Sequence, residues 1–355
     1  MNKSSFLILV LAFLFVTCKK DKTVNPTEWV YSPTTYNMQL PSGFPPMAIP
    51  TDNPLTVEGV ELGRHLFYEK KMSSTLTQAC ADCHFPHKAF SDTMTFSQGV
   101  SGAFGDRQAM VLQNLGYAND FFWDGRAPTL EDQIFGPVVN PIEMNDTWPN
   151  VESKLQADTM YQRMFYEAFG IEEIDSVHVS KAVAQFLRTM VSGNSRWDKW
   201  SRFELALTPD ELAGYDLFKD LLGADCFHCH PHSSRLFTDH SYSNNGLDLV
   251  FADDGLGGVT GVSTDDGKFK VPTLRNIEYS APYMHDGRFA TLDDVIDHYS
   301  DNVEPSSPNI SPLIEFAAGG GVALTPTEKM QVKAFLLSLS DPDFINNPAF
   351  SNPFE

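Results

Sequence analysis

Two short motifs carry the chemistry of this chain: Cys80-Ala81-Asp82-Cys83-His84 and Cys226-Phe227-His228-Cys229-His230. In each, two thiols flank a two-residue spacer and a histidine follows at once. That spacing suits thioether bonds from both sulfurs to the vinyl groups of one haem, with the imidazole turned to the iron from the proximal side. Redox-active and zinc-binding pairs use the same Cys-x-x-Cys spacing. Two copies, each closed by histidine and together using four of the five cysteines, favour two covalent c-type haems on His84 and His230.

The fifth cysteine, Cys18, closes an apolar run from Phe6 to Val16 that follows a basic start at Lys3. Residues 1–18 thus read as a secretory signal, too short and wrongly flanked for a spanning helix. Cys18 reads as a lipoprotein cleavage site, with ordinary cleavage nearby as the alternative. Residues 19–52 follow as a tether and N-terminal extension, flexible to about Tyr36. Export to a periplasm-facing or cell-surface position agrees with c-type attachment, and leaves no cysteine for a disulfide. A net charge of −21 argues against nucleic acid and an anionic membrane surface, and suits a basic redox partner.

The elements that must position the motifs occur twice. Leu112-Gln113-Asn114-Leu115-Gly116-Tyr117 matches Leu274-Arg275-Asn276-Ile277-Glu278-Tyr279 at an offset of 162 residues. The same offset carries Asp124-Gly125-Arg126 onto Asp286-Gly287-Arg288, and Thr129-Leu130-Glu131-Asp132 onto Thr291-Leu292-Asp293-Asp294. Gly-x-x-Leu-Phe precedes each haem motif, at 63–67 and 214–218. The haem histidines are 146 apart, so the second half holds about 16 extra residues, expected as a Gly-rich loop from Asp253 to Gly267. Two homologous haem domains follow, at 53–200 and 201–345, mainly α-helical and of cytochrome c type. Thr208-Pro209-Asp210-Glu211 and Thr325-Pro326-Thr327-Glu328 are capping boxes with proline at the first helical position. Thr129 and Thr291 cap the repeated helices, and Val179, Val183, Phe186 and Met190 form a core stripe.

What each iron would meet on its other face decides the chemistry, since two strong ligands make an electron carrier and one open face admits peroxide. In the first half His87 stands too close to His84 to reach the opposite face, and Met94 reads as packing. The first haem is therefore expected to be open.

Several ordered segments resemble the bacterial di-haem cytochrome c peroxidase family, over essentially the whole chain from Pro54 to Leu339. They are Asn114, Phe121 to Arg126, Gly136-Pro137 through Asn140-Pro141-Ile142-Glu143-Met144, Leu236 to Asp239, Val271 to Asn276, and Pro282 to Gly287. The resemblance implies that Glu143 is the distal acid-base group over a peroxidatic haem, with Gln133 as a second polar group and Pro137 in the wall. It implies that Trp123 lies between the haems and carries electrons. It also implies a calcium between the domains, although Gln108 stands where relatives have asparagine; Ser280 and Pro282 would give backbone carbonyls. His285 would stand near the second haem without ligating it.

One departure is informative. Where conventional peroxidases of this family have a methionine ligand, fourteen residues past His285, this chain has Tyr299, as do MauG-type enzymes of methylamine metabolism. His298 is the adjacent competitor, and Met284, beside Tyr283, reads as packing. A tyrosinate ligand favours ferric and higher iron. The sequence thus points first to a peroxidase that reduces hydrogen peroxide with electrons from a small cytochrome c or cupredoxin-like protein. A MauG-like oxidase of a partner protein stands second and a non-catalytic carrier third, with a homodimer left open.

Overall fold

The computed structural model describes residues 29–314 and 316–355; the signal segment, Cys18 and the first part of the tether lie outside them. Each half is organised by one helix crossing. In the first, α1 (Val57–Phe67) crosses α5 (Ser176–Thr189); in the second, α7 (Pro209–Phe218) crosses α10 (Pro326–Leu337). The glycine of each Gly-x-x-Leu-Phe sits at the crossing because nothing larger fits. A Cβ on Gly63 would lie 1.9 Å from the Ala182 carbonyl oxygen, and one on Gly214 would lie 1.9 Å from that of Gln331. The phenylalanine ending each motif then meets an aromatic on the crossing helix: Phe67 with Phe186, and Phe218 with Phe335.

The repeat reappears in three dimensions with its register intact. Helices α2 (Leu130–Val139) and α9 (Leu292–Asp301) begin and end at the same 162-residue offset. Their caps are alike, Thr129 accepting from the Asp132 amide and Thr291 from the Asp294 amide. Both proline-led capping boxes are also formed. The first half adds α3 (Trp148–Gln156) and α4 (Thr159–Phe169); α6 (Arg196–Ser201) leads into the second. The Gly-rich insertion is not a plain loop: it winds into α8 (Leu256–Thr260) and a further turn at Ser263–Asp265. The only paired strands among the described residues are β1 (Tyr242–Ser243) and β2 (Phe269–Lys270), antiparallel.

Two hydrophobic cores form, one around Leu62, Phe165 and Phe186, the other around Trp197, Phe237 and Phe335. They divide between Met190 and Trp197. The chain then crosses back, because α11 (Pro342–Ile345) and the following turn place Phe344 and Phe350 in the first core. Asp341 directs this return: its carboxylate accepts from Ser192 Oγ and from the amides of Gly193 and Asn194. At the junction repeat mates touch, Gln113 donating to the Arg275 carbonyl at 2.7 Å. Arg275, fully buried, forms a two-pronged ion pair with buried Asp198 at 2.7 and 2.8 Å.

Residues 29–36 are not free, contrary to the flexible tether expected from their composition. Trp29 packs on Tyr166, Tyr31 covers Gly170, and the Thr34 amide donates to Glu58. Further along, Phe44 lies beneath the Arg275 guanidinium. Aromatic side chains dispersed among prolines give this segment a surface to bury.

The crossings yield a direct test. Gly63→Ala and Gly214→Ala should each destabilise the fold by about 1–3 kcal/mol, because the added methyl meets backbone that cannot step aside. Denaturant unfolding equal to the wild type for both variants would contradict the close approach.

Candidate di-haem site

Each proximal histidine is fixed by one hydrogen bond. His84 donates Nδ1–H to the Phe90 carbonyl at 2.7 Å, and His230 to the Phe237 carbonyl at 3.0 Å. Phe90 and Phe237 are both left-handed, at φ 59° and 53°, and this turns the carbonyl back on the ring. With Nδ1 occupied, Nε2 is the nitrogen left for a metal. Burial lowers both imidazoles below the usual histidine range, keeping them neutral.

The cysteines fit covalent haem better than a metal thiolate. All four are unpaired. Burial pushes Cys80 and Cys226 up to about 12 and Cys83 up to about 11, so the free thiols stay protonated. Among the described residues no group of three or more His, Cys, Asp or Glu side chains is gathered for a metal ion. In the second half, Cys226, Cys229 and His230 open on an apolar cavity of about 230 Å³, walled by residues such as Leu274, Ile277 and Ile296. A flat apolar macrocycle suits that lining.

Tyr299 lines this cavity, whereas His298 does not. Successive residues of α9 point apart, and His298 is buried with its Nε2 tied to the Asn245 carbonyl at 3.0 Å. The Tyr299 hydroxyl accepts from Asn245 Nδ2 at 3.0 Å; burial pushes it up to about 12, against the lowering effect of that amide. Met284 also lines the cavity. His285 is there too, stacked on Phe269 at 3.6 Å and committed to no ligand role by that contact.

The 162-residue register now identifies the matching positions in the first half. Tyr299 corresponds to Pro137 on α2, which has no donor atom, and Val295 corresponds to Gln133. Gln133 and Pro137, one turn apart, share a face of α2. Glu131 points the other way, held by Arg188 at 2.6 and 2.8 Å. Just past this helix Glu143 is half-buried and accepts from Asn140 Nδ2 at 2.7 Å. Gly99 lets loop 97–105 close on this segment: a Cβ there would lie 1.4 Å from the Ile142 carbonyl, and the Val100 amide donates to the Glu143 carbonyl. Glu143 is near enough to help raise the Cys80 and Cys83 thiols. Its own carboxyl is raised by burial, opposed by Asn140 and the charge of Arg126. Met94 and His87 are exposed.

Trp123 joins the halves. Its indole donates to the Gln108 carbonyl at 2.8 Å, its own carbonyl accepts from the Lys270 amide of β2, and its ring lines the second cavity. Beside it a polar cleft of about 670 Å³ brings the two Asp-Gly-Arg repeats together, with Arg126 and Arg288 among its walls. The expected calcium finds poor provision. The Lys88 ammonium stands on the Ala281 carbonyl at 3.4 Å, between the two backbone positions a cation would use. Asn245, which no sequence motif marks, is the residue missed.

Helix crossings around Cys-x-x-Cys-His pairs, joined through a shared tryptophan, define a double cytochrome c-type architecture. The family model for di-haem cytochrome c peroxidase matches residues 57–205. The methylamine utilization protein MauG of Methylophilus methylotrophus is 33% identical over 295 residues, spanning 82% of this chain and 84% of that protein. The cytochrome c551 peroxidase of Nitrosomonas europaea is 35% identical over 249 residues, 69% of this chain and 73% of that one. A crystal structure of a MauG-like protein associated with microbial copper homeostasis aligns with a TM-score of 0.83 at 34% identity, covering 90% of this chain and all of that one. The chain belongs to the di-haem cytochrome c peroxidase and MauG family.

If each motif holds its own haem, Cys80→Ala with Cys83→Ala should halve the covalent haem per chain, as should Cys226→Ala with Cys229→Ala. Haem content unchanged in either pair would contradict the assignment.

Proposed function

We propose that this protein uses hydrogen peroxide as oxidant at the first haem site and, in the MauG manner, withdraws the electrons from a partner protein through the second. The observation that carries it is Tyr299, whose hydroxyl lies in the cavity of Cys226, Cys229 and His230. The haems, when bound, supply O–O cleavage and one-electron oxidation; the chain supplies the rest. Its two domains divide the work, the first for peroxide and the second for electron relay.

Pro137 leaves room for peroxide opposite His84, and Gln133 on the same face of α2 orients it. Glu143, as carboxylate, takes the first proton of peroxide and returns it to the leaving oxygen. The Asn140 amide holds the carboxylate in place during both transfers. Trp123, fixed at its indole nitrogen and its backbone, gives electrons a rigid aromatic path between the halves. Tyr299 would hold the second iron and favour its oxidised forms.

Simple peroxidase turnover is the second reading, with a small cytochrome c or cupredoxin-like protein as donor and water as product. The acidic charge of −21 favours a basic donor of this kind. Peroxidase relatives at 35% identity support it as well. The two readings part at the donor: sustained peroxide consumption with a reduced small cytochrome supports the second, and oxidised side chains on a partner protein, seen by mass spectrometry, support the first. A periplasm-facing position with a lipid anchor at Cys18 belongs to the same proposal. Calcium does not, since the Lys88 ammonium already stands at its loop.

Glu143→Gln should lower the rate of reaction with peroxide by about 10²–10⁴-fold while leaving haem content intact. The base form is the one required, and burial raises the Glu143 carboxyl above the usual glutamate value. The wild-type rate should therefore fall as pH drops through that raised pKa, at a higher pH than an exposed glutamate would give. Stopped-flow pH profiles check this; the same inflection in Glu143→Gln would remove Glu143 from the proton path.

A further inference from the structure

The repeat register separates the two halves at two positions on the distal wall. Positions 122 and 137 of the first half correspond to 284 and 299 of the second. The first half has Phe122 and Pro137, neither with a lone pair to offer. Phe122 is packed against Gly136 of α2 and beneath the Arg126 guanidinium. The second half has Met284 and Tyr299, a thioether and a phenol, and both line the cavity of His230.

One amide touches both donors. Asn245 Nδ2 lies 3.0 Å from the Tyr299 hydroxyl and 3.5 Å from Met284 Sδ. A single nitrogen within reach of both atoms puts oxygen and sulfur on one patch of wall. Of the two histidines nearby, His298 is bound to the Asn245 carbonyl and His285 is stacked on Phe269. Methionine, unbranched and with three rotatable bonds, can swing its sulfur without moving the backbone.

We propose that Met284 is a reserve axial ligand of the second haem: Tyr299 binds the oxidised iron and Met284 the reduced iron. This rests on the assignment of a haem to Cys226, Cys229 and His230 with Tyr299 as its ligand. The driving force is donor character. An anionic, hard oxygen stabilises the higher charge, whereas a neutral, soft sulfur suits the lower one and raises the potential. In the exchange, one electron arrives from a small one-electron redox protein, the donor of the peroxidase reading. The iron–oxygen bond breaks, Tyr299 takes one proton from a water whose hydroxide leaves to solvent and returns as a phenol to the Asn245 amide, and a sulfur lone pair forms the iron–sulfur bond. Water has access, because Asn245 lines the polar cleft as well as the cavity. One chain then meets peroxide in the oxidised state with a tyrosinate-held second haem. In the reduced state it relays electrons through a methionine-held one.

The test uses haem-loaded wild type, Met284→Leu, Tyr299→Phe and the double variant. Reduced wild type should show the strongly upfield-shifted proton resonances of an iron-bound methionine side chain, and Met284→Leu, nearly isosteric, should lose them. Oxidised Tyr299→Phe should gain a far-red sulfur-to-iron charge-transfer band and a higher second-haem potential, and the double variant should lose both. Reduced wild type without those resonances, or Met284→Leu that retains them, would overturn the proposal. An oxidised spectrum unchanged by Tyr299→Phe would instead remove Tyr299 as a ligand, and the exchange with it.

Discussion

The hydrogen bond from each motif histidine to a left-handed phenylalanine carbonyl sets the frame for everything else. His84 to Phe90 and His230 to Phe237 fix which ring nitrogen faces inward. The cavity beside His230 is walled in part by α9, through Val295, Ile296 and Tyr299. Helix α2 holds the equivalent place in the repeat, in the same register as α9. A duplicated scaffold thus presents two equivalent positions to two equivalent sites, and the side chains at those positions decide the chemistry.

Function arises where the duplication breaks. Pro137 has no side-chain donor and Tyr299 has one, so equivalent positions of the repeat differ in what they could offer a metal. The halves are also bound together tightly enough to act as a unit. Asp341 holds the 192–194 segment, Phe344 and Phe350 enter the first core, and the Arg275–Asp198 pair is sealed at the junction. Breaking a buried pair of that kind by removing one partner costs several kcal/mol. The rigidity matters because Trp123 is clamped from both sides, by Gln108 of its own half and Lys270 of the other. Electron transfer between halves needs that geometry held.

Much of this was legible in the sequence, for reasons that differ by residue. The Cys-x-x-Cys-His motifs, the capping boxes and the 162-residue repeat are local patterns whose chemistry is complete within a few residues. Register and resemblance mark Glu143 and Tyr299 as candidates. Asn245 was not, because it meets Tyr299 across 54 residues of irregular chain and no local pattern marks it. The docking of residues 29–36 and the return of Phe344 to the first core were hidden likewise. Polar composition conceals a few aromatics, and a domain boundary drawn along the sequence cannot show a chain that crosses back. Met284 looked like packing because its neighbour Tyr283 is aromatic; only the shared Asn245 amide shows what else its sulfur meets.

The central claim is that the first haem site is open and the second is closed by Tyr299. The most direct measurement is EPR of the fully oxidised, haem-loaded protein, before and after one equivalent of hydrogen peroxide. An open first site beside a Tyr299-closed second one should give one high-spin and one low-spin ferric signal, both lost on adding peroxide without prior reduction. Two low-spin signals that peroxide leaves unchanged would contradict it.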